Sequence, residues 1–531
     1  MSQNRRGAQC PEPVDRLDSK FWTIGNSNTK TLTLGTPGDN PMAQHRPFHR
    51  PQVAIISSTS LPSAADGLTR APAGAVGVDA ARVAGFLDDV EAAGLELHDI
   101  MLWRDGVVVT EGWHWPYSAE RRRMTHSMTK SITACAIGLL VDAGRLSLDD
   151  TVCSFFPEAA VDPASATARM TIEDLLTMRS GQGSEVSGSI WRGIATSWID
   201  EFFRIPLDHE PGTVHVYSSA ASYMLSAVVT RVTGETIHDF LTPRLFAPLG
   251  ITNVTWDVGP DGVNPGGNGV SFTIADGLKL GILHAQMGMW NGQRLLSEQW
   301  VEQATRAQGS AEYGYHWVIG DTYYAALGQF VQMIVVYPAA NAVLALNGAM
   351  EESSVLLPHL KKHFPAAFAG AGDAAGEVAL TTRLAGWADV PALPSRASGD
   401  EVGLAGQWIV DDNELGLVRL DFAFADDALR FSITDREGTH AVVAGRDGWH
   451  LAPTYLPGAS LHHGYRLEDT PTFAGARWLA ADRLELVLHF VESVFRDTFT
   501  FTHEGDRLTM ERRVNINSAA RAWPVVTATR A

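Results

Sequence analysis

The sequence has 531 residues, more than one compact domain usually holds, so we expect at least two domains. Hydrophobic residues make up 45% and charged residues 19%, a composition that excludes a disordered chain. The formal net charge of -19 disfavours binding to nucleic acid or to an anionic membrane surface, and no apolar run is long enough to span a bilayer.

Residues 1–78 are rich in Pro, Ser, Thr, Asn and Gly, a composition that predicts a flexible leader. An Arg pair near the start has no apolar stretch behind it, so no signal peptide is predicted. Three cysteines, Cys10, Cys135 and Cys153, are too few for a disulfide framework and indicate a reducing compartment. We therefore expect a cytoplasmic location, and a periplasmic or secreted one only if the start site is misassigned.

Residues 79–365 show helical and strand-like patterns in turn. Asp79–Gly94 has helical apolar spacing, and Asp105-Gly106 predicts a hairpin between two strands, His98–Arg104 and Val107–Gly112. One helix is predicted for Ser127–Ala143, ended by Gly144, and another begins at the capping box of Thr171. Three more helices are predicted for Ser219–Thr233, Ile274–Met287 and Ser297–Arg306. Strands return at Tyr323–Leu327, Val331–Tyr337 and Ala342–Leu346. Strands, helices and strands in this order favour an α+β fold with an antiparallel sheet.

The remainder of the chain is predicted to be a linker and a β domain. Residues 366–400 are rich in Ala, Gly and Pro, which is typical of a linker. Between 401 and 518 the sequence alternates apolar and polar residues between turn signals. That pattern predicts an antiparallel barrel or sandwich.

Ser127 and Lys130 form an S-x-x-K pattern at the start of an apolar helix. A serine needs a nearby base to become a nucleophile, and side chains three residues apart share a helix face. Burial would lower the pKa of the lysine enough for it to act as that base. The alternative, at even odds from this motif alone, is a lysine that extends to solvent. Ser27 and Lys30 repeat the pattern in the polar leader, where we interpret it as coincidence.

Two further elements complete a candidate site. Tyr217 follows a Pro-Gly turn and precedes a helix with Ser219 near its cap, so its hydroxyl could pass protons; the alternative is a packing aromatic. Gly328 in a strand marks a close approach to the backbone, where the Gln329 amide and the Ser127 amide could form an oxyanion hole; the alternative is a plain β-bulge.

The combination of HSMTKS at 126–131, YSS at 217–219 and LGQ at 327–329 resembles the serine β-lactamase and penicillin-binding-protein superfamily. The resemblance is to its class C-like branch of esterases, 6-aminohexanoate-dimer hydrolases and D-aminopeptidases, and it covers about residues 79–365. It implies an antiparallel sheet flanked by helices with an all-helical subdomain. It also implies Ser127 as nucleophile, Lys130 as general base and Tyr217 as proton shuttle. Ser219 holds the place of the usual Asn, and Gly328 and Gln329 line the oxyanion-hole strand.

This sequence departs from the family pattern where the third motif usually begins with a cation or His. Ala326 and Leu327 occupy those places. Because that cation helps to hold a substrate carboxylate, we expect an ester or small amide substrate rather than a β-lactam or a peptidoglycan stem peptide. The alternatives that stay open are a β-lactamase, D,D-peptidase or D-aminopeptidase, and a catalytically silent structural or binding member.

We predict no metal site and no cofactor. Trp191 and Trp198 could line an acyl pocket, although core packing is the more common fate of such residues. His126 could support the site or simply pack. The C-terminal domain resembles the lipocalin-like barrels attached to some relatives, and it could equally be a packing or dimerisation module.

Overall fold

The computed structural model describes residues 66–186, 188–309, 311–370 and 374–531. The leader up to residue 65, with its S-x-x-K copy and Cys10, lies outside the described residues. Residues 66–78, which we had included in the leader, pack on the first domain: Arg70 bridges to Val108, and Ala73 and Val78 are buried.

The first domain contains a six-stranded antiparallel sheet, as the α+β prediction requires. The first strand in the sequence pairs with the last in the interior of the sheet, and the edges are Val107–Trp113 and Val318–Ile319. In spatial order the strands are Val107–Trp113, Leu97–Arg104, Ala342–Gly348, Gln332–Tyr337, Tyr324–Gly328 and Val318–Ile319.

Helices cover the sheet and form a separate helical region between its strands. The predicted spans agree within a few residues, and the Thr171 capping box is present, with Asp174 as its partner. The α-helices of the described chain up to residue 386 are Ala80–Ala92, Thr129–Asp142, Ile172–Leu176, Gly188–Arg192, Trp198–Arg204, Ser219–Thr233, Ile237–Leu241, Ile274–Ala285, Glu298–Ala304, Leu357–His363 and Ala374–Gly386.

The predicted linker contains the last of these helices. Ala374–Gly386 packs against Ala80–Ala92 and the edge strand Val107–Trp113, because Leu380 and Leu384 are buried there. The composition predicted a linker because Ala and Gly dominate the residues on both sides of this helix. Two leucines at helical spacing are nevertheless enough to pack it onto the first domain. The rest, to residue 400, is irregular up to the short helix Glu401–Leu404.

The C-terminal domain is a closed antiparallel β-barrel of nine strands, and its last strand extends to residue 530 instead of ending at 518. A parallel pairing between Gly438–Arg446 and Thr470–Ala480 closes the barrel. In spatial order the strands are Gly438–Arg446, Ala428–Asp435, Leu417–Phe424, Gly406–Val410, Val526–Arg530, Arg507–Val514, Arg496–Glu504, Arg483–Phe490 and Thr470–Ala480, and His450–Thr454 pairs beside the last of these.

The two domains share a polar and aromatic interface. Arg122 is bonded to Glu492 at 3.0 Å, and Arg496 to Glu96 at 3.0 Å. Trp115 of the first domain packs between rings of the barrel. Among the described residues, none of the helices is both long and apolar enough to cross a bilayer.

Candidate active site

Ser127 lies in a short 3-10 turn, His126–Met128, directly before the helix Thr129–Asp142. The helix had been predicted to begin at Ser127. It begins two residues later because the preceding turn is tighter and His126 has a left-handed φ of 48°. Ser127 is half-buried, so its hydroxyl lies at the edge of the core.

The helix after Ser127 is buried on almost every side, and its polar side chains bond to facing loops. Thr133 donates to the Gly266 carbonyl at 2.8 Å, and Ser131 to the His316 carbonyl at 2.6 Å. A polar side chain that is buried in a protein core normally has a hydrogen-bond partner of this kind. The lysine on this helix is held in the same way rather than extending to solvent.

Lys130 is 1% exposed, and its Nζ lies 3.2 Å from the Ser127 Oγ. The same Nζ donates to Ser219 Oγ at 3.1 Å and to the Gly267 carbonyl oxygen at 2.9 Å. No carboxylate in the described part of the chain lies within 4.0 Å of it. Burial lowers the pKa of Lys130 to about 7, Glu185 opposes the shift, and Arg192 adds to it. A substantial fraction of this amine is therefore neutral near pH 7.

Tyr217 lies against this pair. The Lys130 Nζ is 4.7 Å from the centre of the Tyr217 ring, and the phenol is hydrogen-bonded to Ser127. Burial raises the pKa of Tyr217, and the bond to Ser127 opposes that rise. The tyrosine stays protonated at neutral pH and can relay a proton in either direction.

The segment that carries Tyr217 is held by single backbone contacts. Val216 N donates to the Met178 carbonyl, and Ser219 N to the Val186 carbonyl. Ser218 caps the helix Ser219–Thr233 by accepting from Ala221 N at 3.2 Å. Ser219 is thereby placed in the first turn of the helix, facing Lys130.

Gly328 ends the strand Tyr324–Gly328, and a close backbone approach is present there, as its position in a strand indicated. The approaching backbone is that of the chain just before Ser127. A Cβ on Gly328 would lie 2.2 Å from the Thr125 carbonyl oxygen. The absence of a side chain at this position therefore lets the end of the strand lie against the backbone of Thr125. Ala326 and Leu327, at the places where the third motif usually begins with a cation or His, are 1% and 6% exposed in apolar surroundings.

The structure brings together Ser127, Lys130, Tyr217 and Ser219, and it places Gly328 against Thr125, close in sequence to Ser127. Trp191 and Trp198 pack in the hydrophobic core, with ring centres 6.1 Å apart. His126 is 3% exposed and packs among rings. Burial raises the pKa of the Cys135 thiol to about 12, so that cysteine is unsuited to nucleophilic attack.

Several residues at the site were missed from the sequence. Gly267 accepts from Lys130 through its main chain, which a residue-type search cannot detect; the double glycine at 266–267 is the only signal. Arg192 stacks on the ring of Tyr465 at 3.7 Å and donates to the His463 carbonyl. Tyr465 and His463 belong to the barrel, and contacts across domains leave no local pattern.

No group of His, Cys, Asp and Glu side chains suited to a metal ion occurs within the described ranges. The site instead offers a hydroxyl, an amine of lowered pKa and a phenol in one hydrogen-bonded cluster. This donor set fits proton transfer and nucleophilic attack.

The chain is similar to several known proteins. The chain is 28% identical over 276 residues to penicillin-binding protein 4 of Amycolatopsis lactamdurans, covering 43% of this chain and 72% of that protein. It is 33% identical over 152 residues to lovastatin esterase of Penicillium rubens, covering 24% of this chain and 37% of that protein. For the first two curated relatives, both from Mycobacterium tuberculosis, the chain spans 39% of their length.

A crystal structure of a penicillin-binding protein from Bacillus halodurans superposes with a TM-score of 0.43 at 18% identity, covering 52% of this chain and 100% of that one. The family model described as Beta-lactamase matches residues 81–352, which is just over half of the chain and contains the whole candidate site. The chain belongs to the beta-lactamase family, a family of serine hydrolases that includes esterases, amidases and peptidases.

Proposed function

We propose that this protein hydrolyses an ester or a small amide through an acyl-enzyme formed on Ser127. The observation that carries the proposal is the contact between Ser127 and a buried lysine with a pKa of about 7. A neutral amine has two N–H groups and one lone pair. If the N–H groups donate to Ser219 Oγ and the Gly267 carbonyl, the lone pair faces the Ser127 hydroxyl and can take its proton.

Acylation and deacylation would use the same groups in reverse order. Lys130 takes the proton of Ser127 as the oxygen attacks the carbonyl carbon, and Tyr217 passes a proton to the leaving group. The backbone amides of Ser127 and Gln329 would stabilise the negative oxygen of the tetrahedral intermediate. Tyr217 regains its proton from Lys130 before water attacks the acyl-enzyme. The neutral Lys130 then accepts the proton of the water, Tyr217 gives its proton to the departing Ser127 oxygen, and Lys130 reprotonates Tyr217.

The substrate class follows from what surrounds the nucleophile. Ala326 and Leu327 offer no charge to a substrate carboxylate at the places where the family's third motif usually begins with a cation or His. A neutral ester or small amide therefore fits better than a β-lactam or a D,D-peptide. The free Cys135 and Cys153 support the further proposal of a reducing, cytoplasmic compartment.

The pH dependence of ester hydrolysis tests the role of Lys130. Because the amine acts only when neutral, kcat/KM should rise with pH along a limb centred near 7 and level off above it. Steady-state hydrolysis of p-nitrophenyl butyrate between pH 5.5 and 9 measures this limb. A flat profile over that range would rule out Lys130 as the base.

Two charge-removing variants should move this limb in opposite directions. Glu185 raises the pKa of Lys130, so Glu185→Gln should shift the limb to lower pH. Arg192 lowers that pKa, so Arg192→Gln should shift the limb to higher pH. Shifts in the same direction, or a limb that neither variant moves, would show that another group titrates.

A further inference from the structure

The turn that follows the third motif is held in an unfavourable backbone conformation. Phe330 has a φ of 64° and Val331 a φ of 70°. Consecutive left-handed residues in a tight hairpin turn normally select Asn and Gly, and a β-branched residue is especially disfavoured there. Such strain persists only where surrounding contacts impose it. Gln329, whose amide we assign to the oxyanion hole, directly precedes these two residues.

The contacts that impose this conformation come partly from the barrel. Phe330 is 1% exposed and belongs to the same apolar cluster as the barrel core. Its ring centre lies 5.8 Å from that of Phe495 and 5.5 Å from that of His463, both barrel residues. Val331 is fully buried under the sheet, and its carbonyl accepts from Gly348 N at 2.8 Å. The ring of Phe330 therefore links the turn to the second domain.

The other segment of the proposed oxyanion hole is linked to the same place. His126, adjacent to Ser127, also has a left-handed φ, and its ring centre lies 5.5 Å from Phe330, 6.2 Å from His463 and 5.4 Å from Tyr465. Neither ring nitrogen of His126 has a hydrogen-bond partner among the described residues. Ring packing is therefore what holds this side chain.

His463 is itself fixed from the barrel side. Its backbone N donates to Asn517 Oδ1 at 3.0 Å, and its Nδ1 is bonded to Ser518. The preceding residue, His462, is bonded to Asp497 at 2.8 Å within the barrel interior. The His463 ring therefore has a fixed position against both Phe330 and His126.

We propose that His463, through Phe330 and His126, is a positioning residue that sets the relative placement of the Ser127 and Gln329 amides. The barrel would then complete the oxyanion hole from outside the first domain. This inference rests on the proposed function, because the two amides have a catalytic role only if Ser127 is acylated.

The test compares His463→Ala with His489→Ala. His489 is also a half-buried barrel histidine at the domain interface, where its ring lies 5.1 Å from that of Trp115, but it contacts neither Phe330 nor His126 in the ring contacts of the described residues. Loss of positioning should lower kcat/KM for p-nitrophenyl butyrate about 10- to 100-fold in His463→Ala only. His463→Phe keeps the ring and should recover most of that loss.

Two further readouts separate positioning from general destabilisation. A thiocarbonyl sulfur accepts hydrogen bonds weakly, so an intact oxyanion hole favours the oxygen ester over its thionoester, and His463→Ala should reduce that preference. Hydrogen–deuterium exchange of peptides covering 124–130 and 326–332 should rise in His463→Ala and not in His489→Ala.

Equal effects of the two alanine variants on rate, ester preference and exchange would overturn the inference. Exchange needs no turnover, so it tests the positioning even if the enzyme cleaves no ester. Increased exchange in His463→Ala without Ser127-dependent turnover in the wild type would therefore overturn the catalytic role of the contact and the proposed function, while the structural link would remain.

Discussion

Lys130→Met is expected to lower kcat/KM for p-nitrophenyl butyrate by about 1000-fold, the range that general-base catalysis supplies. Methionine keeps the length and apolar stem of the side chain but removes the amine 3.2 Å from Ser127. The Gly267 carbonyl loses its donor, so the free energy of unfolding should change by no more than about 2 kcal/mol. Initial rates and urea unfolding measure both quantities.

Lys279→Met is the matched control, because Lys279 is also 1% exposed and lies on a buried helix. It donates to the Gly250 carbonyl at 3.1 Å and pairs with Asp276 at 3.4 Å, outside the candidate site. This variant should lose stability and keep most of its activity. A comparable loss of activity in both variants would mean that Lys130 contributes packing rather than chemistry.

Asp497→Ala is expected to lower the free energy of unfolding of the barrel by about 3–5 kcal/mol, because it leaves the buried guanidinium of Arg512 without its partner. Asp497 is fully buried and accepts from His462 Nε2 at 2.8 Å and from Arg512 Nε at 2.9 Å. Both partners are 1% exposed. Urea unfolding followed by tryptophan fluorescence measures the loss. A change below about 1 kcal/mol would contradict the account.

An exposed ion pair in the same barrel is the control for this variant. Arg507 and Asp411 are 3.0 Å apart, with 60% and 41% of their side chains exposed. Exposed pairs of this kind contribute little to stability, so Arg507→Ala should be nearly neutral.

Low pH should weaken the buried cluster of Asp497, His462 and Arg512 over a limited pH range. Burial alone would raise the pKa of Asp497, but His462 and Arg512 outweigh it and lower the pKa to about 2. A carboxylate with a lowered pKa in the folded state stabilises the protein above its unfolded pKa of about 4. That contribution should be lost as the pH falls from about 4 to 2, and Asp497→Ala should not show the loss.

The fold was predictable to the extent that local patterns determine it. Alternation and capping located the strands of the first sheet except Val318–Ile319, the capping box at Thr171 and the β character of the C-terminal domain, because each depends on residues close in sequence. The helix Ala374–Gly386 was missed because docking of two leucines outweighed a composition typical of linkers. Strand Val526–Arg530 was missed because it is short and one of its two partners, Gly406–Val410, is distant in the sequence.

In the candidate site, too, the residues in local motifs could be predicted, and those that depend on long-range contacts could not. The three motifs gave Ser127, Lys130 and Tyr217, and the structure places these side chains in one cluster. Gly267 contacts Lys130 through its backbone carbonyl, so its residue type gives no indication of this role. His463 reaches the site from more than 300 residues away, a contact that only the packing of the two domains creates.

Intact-mass spectrometry after addition of p-nitrophenyl acetate and butyrate tests the central claim, acylation of Ser127, most directly. The wild type should gain one acetyl or butyryl group and release nitrophenol, and peptide mapping should place the group on Ser127. Ser127→Ala should do neither. Equal acylation and release in both proteins, or none in either, would contradict the assignment of Ser127 as the nucleophile.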